Sequence, residues 1–500
     1  MGKKEEKELR TREGEAIAIE PGEFEALLKK EFKPKTDRQG EAIASAVQTL
    51  AEQALAETAL ISDDAVKTIE AIIAEIDKRL SGQINLIIHH EDFQALEGTW
   101  RGLHYLVNNT ETDETLKIRI LNLHKKDLAK TIKKYKGTAW DQSPLFKKFY
   151  EEEFGTPGGE PLGCLVGDYY FDHGPQDVEI LNGIAQIAAA AHAPFIGGAA
   201  PSLMNMDSWQ ELSNPRDLTK IFQTAEYAPW RSLRDSEDSR YIGLTMPRFL
   251  GRLPYGAKTD PVDEFDFEED TGAADHSKYL WANSGYAMGA SITRAFKEYG
   301  WCARIRGVES GGLVEGLPCH TFPTDDGGVD MKCPTEIAIT DRREAELAKN
   351  GLMPLSHWKN QDYAAFIGAQ SLQKPAEYDD ADATANAKLA ARLPYLFATC
   401  RFAHYLKCIV RDKLGSFKER EDMANWLNRW ITQYVTTDPN ASEETKAKYP
   451  LAAAEVVVED VEGDPGYYTA KFFLRPHYQL EGLTVSLRLV SRLPSTKGGD

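Results

Sequence analysis

The densest gathering of chemistry-capable side chains in this 500-residue sequence is the run HHEDFQALEGTWRGLHYLV, residues 89–107. Imidazoles and carboxylates at such density are the groups that hold zinc or move protons. The zinc-protease arrangement places two histidines four apart on a helix, with a glutamate after the first. Here Glu91 follows His90, but Gln94 stands where the second histidine must be. His104 comes fourteen residues after His90, about 21 Å along an unbroken helix, so the two cannot share an ion. The same run carries Phe93, Leu96, Trp100, Leu103 and Val107 at steps of three and four. That heptad spacing gathers them on one apolar stripe. Glu97 and Arg101 follow the acid-first, four-residue order of a helix ion pair. The run therefore reads as a packing helix, with its histidines as polar residues near the helix start.

The remaining candidates for chemistry are weaker. Cys319, His320 and Cys333 lie in one irregular stretch, but a structural zinc site needs four correctly spaced ligands and no second pair is present. The segment TDDGGVDMKC lacks the terminal glutamate of an EF-hand loop and reads as a surface turn. GTPGGEPLG and GVESGGLVEG match neither G-x-x-x-x-G-K-[ST] nor G-x-G-x-x-G, and the chain contains no G-x-S-x-G elbow. No catalytic residue, cofactor or metal ligand is assigned. The competing reading is a metal-assisted hydrolase built around Cys319, His320 and Asp325.

Composition bounds the class. At 42% hydrophobic and 27% charged residues, the chain has the make-up of a soluble globular protein, and its length predicts more than one domain. A net charge of −19 argues against a general nucleic-acid binder, which needs basic surface to displace counterions. The scattered cysteines (Cys164, Cys302, Cys319, Cys333, Cys400 and Cys408) fit a reducing compartment better than a disulfide framework. No secretory signal and no run long enough to span a bilayer is visible, so the expected location is cytoplasmic.

The elements that must position these residues change character along the chain. Residues 1–40 hold ten basic and ten acidic side chains, too little apolar surface to fold alone. Within that arm, Ala16, Ile17, Ala18, Ile19 and Glu20 form a short strand-like patch before Pro21. From Ser62, a plausible N-cap, Val66, Ile69, Ile73, Ile76 and Leu80 mark an amphipathic helix. It could pair with the 89–107 helix as an antiparallel hairpin. After residue 114 strand and helix alternate: TLKIRILNL, KKDLAKTIKKY, EPLGCLVGDYYF, DVEILNGIAQIAAAA and HAPFIGG. The fold class expected is mixed α/β. Six acids fall within residues 263–270, which read as an exposed insertion. Beyond residue 380 come two helices rich in aromatics and cations, then three strand candidates. The last strand places Leu483, Val485, Leu487 and Leu489 on one face. The domains expected are an arm over 1–60, a helical hairpin with an α/β core over 61–380, and a C-terminal domain over 381–500.

An ordered set of motifs resembles the large subunit of the type VI secretion contractile sheath, the TssC/VipB family. The stretches are FQALEGTWRGLHYLV, EPLGCLVGDYYF, AAAAHAPFIGGAA, APWRSLRDSEDSRYIGLTMPRFLGRLPYG and GWCARIRGVESGGLVEGLP. They continue with PTEIAITDRREAELAKNGLMPL, LPYLFATCRFAHYLKCIVRDKLGS and LRPHYQLEGLTVSLRLVSRLP, covering roughly residues 60–495.

The resemblance implies a structural, non-enzymatic protein whose C-terminal part is similar to phage tail-sheath proteins. It implies pairing with a small sheath subunit (TssB/VipA) and helical stacking of further copies around an Hcp tube. It further implies growth from a baseplate, contraction, and disassembly by a ClpV-type AAA+ ATPase acting mainly through the small subunit. Arms that add strands to a neighbour's sheet tie subunits together while they move. The resemblance makes residues 16–20 and the strand of Leu483, Val485, Leu487 and Leu489 the candidates for that exchange. It also makes the stripe of Phe93, Leu96, Trp100, Leu103 and Val107 a packing face, either for the chain's own 62–81 segment or for the small subunit. RSLRDSEDSR, residues 231–240, becomes a candidate for contacts between layers or with the tube. A tail sheath that assembles without a partner is the third reading.

Overall fold

The structure, a computed structural model, describes residues 65–477 together with 38–39 and 45, apart from 215–216, 273–274, 325, 414–419, 439 and 461–467. Ser62, Asp325 and the segments 16–20 and 483–490 lie outside the described residues. The described residues up to His90, with Pro254–Asp270, form one compact unit, and those from Glu91 to Leu253 and from Thr271 onward form a second.

In the first unit, the amphipathic period yields helix α1, Ala65–Ile88. Asn85 near its end holds the segment with six acids: its Nδ2 donates to the Glu268 carbonyl at 3.2 Å, and its Oδ1 accepts from the Asp270 amide at 2.9 Å. The His89 Nε2 stands 3.3 Å from Glu269 Oε1, and the Tyr255 amide donates to Glu269 Oε2 at 2.9 Å. Phe267 and Glu269 are buried, while Asp266, Glu268 and Asp270 are exposed. The expected solvated insertion is thus an extended segment with alternating sides, pinned by one buried carboxylate.

The second unit opens with α2, Glu91–Asn108, and α3, Lys125–Lys134. His89 and His90 form the turn before α2, whose first turn instead holds Glu91 and Asp92. Both expected helices exist, and they fall in different units. TLKIRILNL departs from expectation: no strand pairs with it among the described residues. Its lysine and arginine side chains, Lys117 and Arg119, are tied to Glu160, and Ile120 is left exposed.

The alternation that follows builds one mixed sheet. Strand β1 (Leu165–Phe171) leads through helix α4 (Pro175–Ala191) to β2 (Phe195–Ala199). Strand β3 (Ile242–Met246), helix α5 (Ser284–Tyr299) and β4 (Leu313–Val314) come next. A small separate ribbon, β5 (Thr321–Pro323) and β6 (Val329–Met331), precedes β7 (Leu352–His357) and β8 (Ala364–Phe366). The sheet order is β1-β2-β3-β7-β8-β4, parallel as far as β7 and antiparallel beyond it. Every residue of β2 and β3 is buried, as parallel strands covered on both faces must be.

Helix α5 is fixed at both ends. Asn283 accepts from the Gly285 amide at 2.9 Å, and Gly300 ends the helix at φ +79° with its amide on the Phe296 carbonyl. That left-handed turn suits glycine, which has no Cβ to clash. After the sheet come α6 (Leu393–Lys413) and α7 (Arg420–Thr432), then the antiparallel pair β9 (Leu451–Asp460) and β10 (Tyr468–Pro476). Their shared core gathers Trp301, Phe402, Leu406, Leu427, Ile431, Val456 and Val458, with Trp301 stacked on Phe402 at 4.3 Å. The mixed α/β class is as expected; in the C-terminal part a further helix, Ala381–Ala390, precedes α6, and a short one, Glu443–Lys448, separates α7 from β9.

Candidate assembly surfaces

Helix α2 packs on a face that hydrophobic periodicity did not pick out. Gly98, Gly102 and Leu106 are its buried residues. A Cβ at Gly98 would sit 2.8 Å from the Trp281 carbonyl oxygen, and one at Gly102 would overlap the Tyr286 ring. The two glycines therefore let the helix backbone approach Trp281 and the start of α5 closely. Leu106 joins Tyr286 and Ala290 in a small core, and the Thr110 and Thr293 hydroxyls meet at 2.8 Å. Polar clamps flank this contact. Glu97 takes Nε and Nη2 of Arg252 at 2.7 and 3.3 Å, with Arg101 further off at 3.4 Å. Thr99 and Asn283 donate to the two oxygens of Asp168 at 2.5 and 3.1 Å. The expected Glu97–Arg101 pair is real but secondary. The sequence signal for the glycine contact was the four-residue spacing of Gly98 and Gly102.

The predicted stripe lies roughly opposite on the same helix. Trp100 is 63% exposed, and Phe93, Leu96 and Val107 are exposed as well, with Leu103 half-buried. Apolar side chains of this size exposed together on a surface make the stripe a candidate packing face. The histidines of the run serve local ends: His89 meets Glu269, and His104 is exposed with Asn108 at 2.9 Å.

A second surface comes from β9 and β10. Along an antiparallel pair each residue points both backbone polar groups either at its partner strand or away from it. Val456 points away from β10 and is met by a side chain: Asn428 of α7 donates to the Val456 carbonyl at 2.8 Å and accepts from its amide at 2.9 Å. At the start of β9, Leu451 donates to Tyr434 and its carbonyl accepts from Thr436. The outer edge of β9 is therefore occupied at two points. Among the described residues β10 pairs only with β9, and its outer edge is where a further strand can add. The predicted strand of Leu483, Val485, Leu487 and Leu489, outside the described residues, follows β10 in sequence.

Parts of the other candidates are engaged within the fold. In RSLRDSEDSR, the Arg231 guanidinium donates to the Phe222 and Thr224 carbonyls at 2.7 Å each. Arg234 is buried on the Leu372 and Lys349 carbonyls, and desolvation lowers its pKa to about 10. These two cations hold the fold rather than face outward. His320 is buried with Nδ1 2.7 Å from the Tyr279 hydroxyl. Asp325, the third member of the imagined site, lies outside the described residues. Among the described residues no group of three or more His, Cys, Asp or Glu is placed to hold a metal ion. No helix among them is long and apolar enough to cross a membrane.

Comparison with known proteins gives these surfaces a context. Residues 70–373 match the family model described as EvpB/VC_A0108, tail sheath N-terminal domain, and residues 382–493 match its tail sheath gpW/gp25-like domain. The type VI secretion system sheath protein TssC1 of Pseudomonas aeruginosa is 74% identical over 486 residues, 97% of this chain and 98% of that protein. Among solved structures, a chain of the anti-feeding prophage baseplate matches at 9% identity and TM-score 0.36, over 76% of this chain and 84% of its own. A chain of an extracellular contractile injection system sheath in the contracted state matches at 10% identity and TM-score 0.27, over 62% and 68%. With both scores that low, the assignment rests on the sequence matches. This chain belongs to the EvpB/VC_A0108 family of tail sheath proteins, the TssC/VipB sheath subunits of type VI secretion.

Proposed function

We propose that this chain is the large, non-enzymatic subunit of a type VI contractile sheath, working in the bacterial cytoplasm on an envelope-anchored baseplate. It pairs with a small sheath subunit (TssB/VipA) and stacks helically with further copies around an Hcp tube. The sheath contracts to drive the tube outward, using energy stored in the extended lattice. A ClpV-type ATPase then recycles it through the small subunit. No nucleic acid, membrane insertion or cofactor is part of this role. Residues 1–60 act as an arm, 61–380 as the N-terminal sheath region and 381–500 as the tail-sheath-like domain.

The observation that carries this reading is the exposed stripe of α2. A helix already docked through Gly98, Gly102 and Leu106 keeps Phe93, Leu96, Trp100 and Val107 in solvent. A subunit that buries the stripe against a partner helix removes that cost. The outer edge of β10 supports the second half: strands from 483–490 and from a neighbour's residues 16–20 extend the ribbon there. Co-expression with the adjacent small-subunit gene, followed by electron microscopy, tests the proposal. Cogwheel-shaped tubes only when both subunits are present is the expected result. Tubes from this chain alone would overturn the paired arrangement in favour of a self-sufficient tail sheath.

A further inference from the structure

The ribbon of β5 and β6 brings together two thiols and an imidazole that the sheath role does not use. Thr321 faces Met331, Phe322 faces Asp330 and Pro323 faces Val329. The Lys332 amide donates to the His320 carbonyl at 2.8 Å, which extends the same register outward by one pair. Continued one step further, the same register would set Cys319 opposite Cys333. Burial raises the Cys319 pKa, and the two thiols are near enough for the Cys333 charge to raise it further. Hydrogen-bonded pairs alternate along an antiparallel ladder, so a pair continuing this register there would be non-hydrogen-bonded, a position at which Cα atoms approach to about 4.5 Å. That lies within the roughly 4.4–6.8 Å that a disulfide spans.

His357, the last residue of β7, completes the group. Its Nε2 is 2.8 Å from the Gln361 carbonyl and so carries a proton, which leaves Nδ1 as the acceptor 3.5 Å from Cys333 Sγ. The Thr335 hydroxyl is 3.3 Å from the same sulfur. Cys319 Sγ lies 3.9 Å from the Gln361 carbonyl that orients the imidazole. All three side chains are partly exposed. Burial would raise the Cys333 pKa, but the bonds with His357 and Thr335 outweigh it and the net direction is down. His357 moves reciprocally: burial lowers it, the Cys333 bond raises it, and the net direction is up. Desolvation drives Cys302 and Cys400 the other way, each to about 12.

We propose that Cys333 is a reactive thiol site for peroxides, with His357 as its positioning base and Cys319 as its resolving thiol. The Cys333 thiolate attacks one peroxide oxygen; the S–O bond forms as the O–O bond breaks. Sulfur gives up two electrons, and the departing oxygen takes the His357 proton to leave as water or an alcohol. The Cys319 sulfur then attacks the sulfenic sulfur. An S–S bond forms, the S–O bond breaks, and hydroxide leaves as water with the Cys319 proton.

The test uses the purified full-length chain with iodoacetamide and with hydrogen peroxide, each read by peptide mass spectrometry across all six cysteines. Cys333 should alkylate at least about tenfold faster than Cys164, Cys302 or Cys400. His357→Gln should slow Cys333 alone, the other five serving as a control for folding. Peroxide should link Cys319 to Cys333 reversibly, and in Cys319→Ser it should leave a sulfenic acid on Cys333 that a dione probe captures. Overturning results are equal alkylation of Cys333 and the buried thiols, an unchanged Cys333 rate in His357→Gln, or free thiols at both positions after peroxide.

Discussion

Glu97 and Arg252 form a two-point ion pair, Nε to Oε1 at 2.7 Å and Nη2 to Oε2 at 3.3 Å, with Arg252 only 7% exposed. They are far apart in sequence, and the pair ties α2 to the residues after β3. A charge buried to this degree depends on its partner. Glu97→Ala should destabilise the second unit by about 3–5 kcal/mol in chemical denaturation. Arg101→Ala, at the more exposed side of the same carboxylate, should cost less than about 1 kcal/mol. Equal effects would show that the helix pair, not Arg252, is what Glu97 serves.

The two faces of α2 make opposite predictions. Trp100→Asp changes an exposed residue, so stability should shift by no more than about 0.5 kcal/mol while co-purification with the small subunit is lost. Leu106→Ala opens the buried face and should cost about 2–4 kcal/mol. A soluble Trp100→Asp chain that still builds sheaths would rule out the stripe as the partner face.

Asn428 closes the outer edge of β9 with both ends of one amide. Asn428→Leu leaves a partly buried backbone donor and acceptor unpaired and should cost about 2–3 kcal/mol. Hydrogen exchange locates the effect: the Val456 amide should lose protection ahead of the other amides of β9.

His404 carries a pH prediction. It is buried, its Nε2 donates to the Ala191 carbonyl at 2.8 Å, and desolvation lowers its pKa to about 4. The nearby cations Arg401 and Lys407 and the His192 ring lower it further. The folded state holds the ring neutral, while the unfolded chain protonates it near 6.5. Its contribution is therefore complete above pH 6.5 and is lost as pH falls toward 4, by up to about 3 kcal/mol. His192, also lowered by burial and by the Lys407 and Arg240 charges, adds in the same direction. Denaturation midpoints measured between pH 4 and 7 should fall on the acid side, and His404→Gln should flatten that slope.

The arm yields an assembly prediction. Proline at both Ile17 and Ile19 removes two backbone donors from any strand formed by residues 16–20. Heterodimers should still form, while sheath tubes fail to assemble or to contract in electron micrographs. Normal contractile tubes would exclude this segment from strand exchange.

The sequence alone determined the local patterns. The 3.6-residue period announced α1 and α2, the segments of β9 and β10 were strand candidates, and the ordered motifs from residue 60 to 495 pointed to the sheath family. Spacing also dismissed zinc in residues 89–107, because ligands must lie within one coordination sphere. Tertiary structure decided which face of each element is used. Hydrophobicity marked Trp100 and Leu96 as the packing side of α2, yet the helix docks through Gly98 and Gly102, since what permits close approach is a missing side chain. The acids of 263–270 looked solvated until Asn85 and His89 met them across about 180 residues of chain. Cys333 acquired an imidazole in the same way, from β7. Pairings of that kind are set by long-range contacts, which no local period encodes.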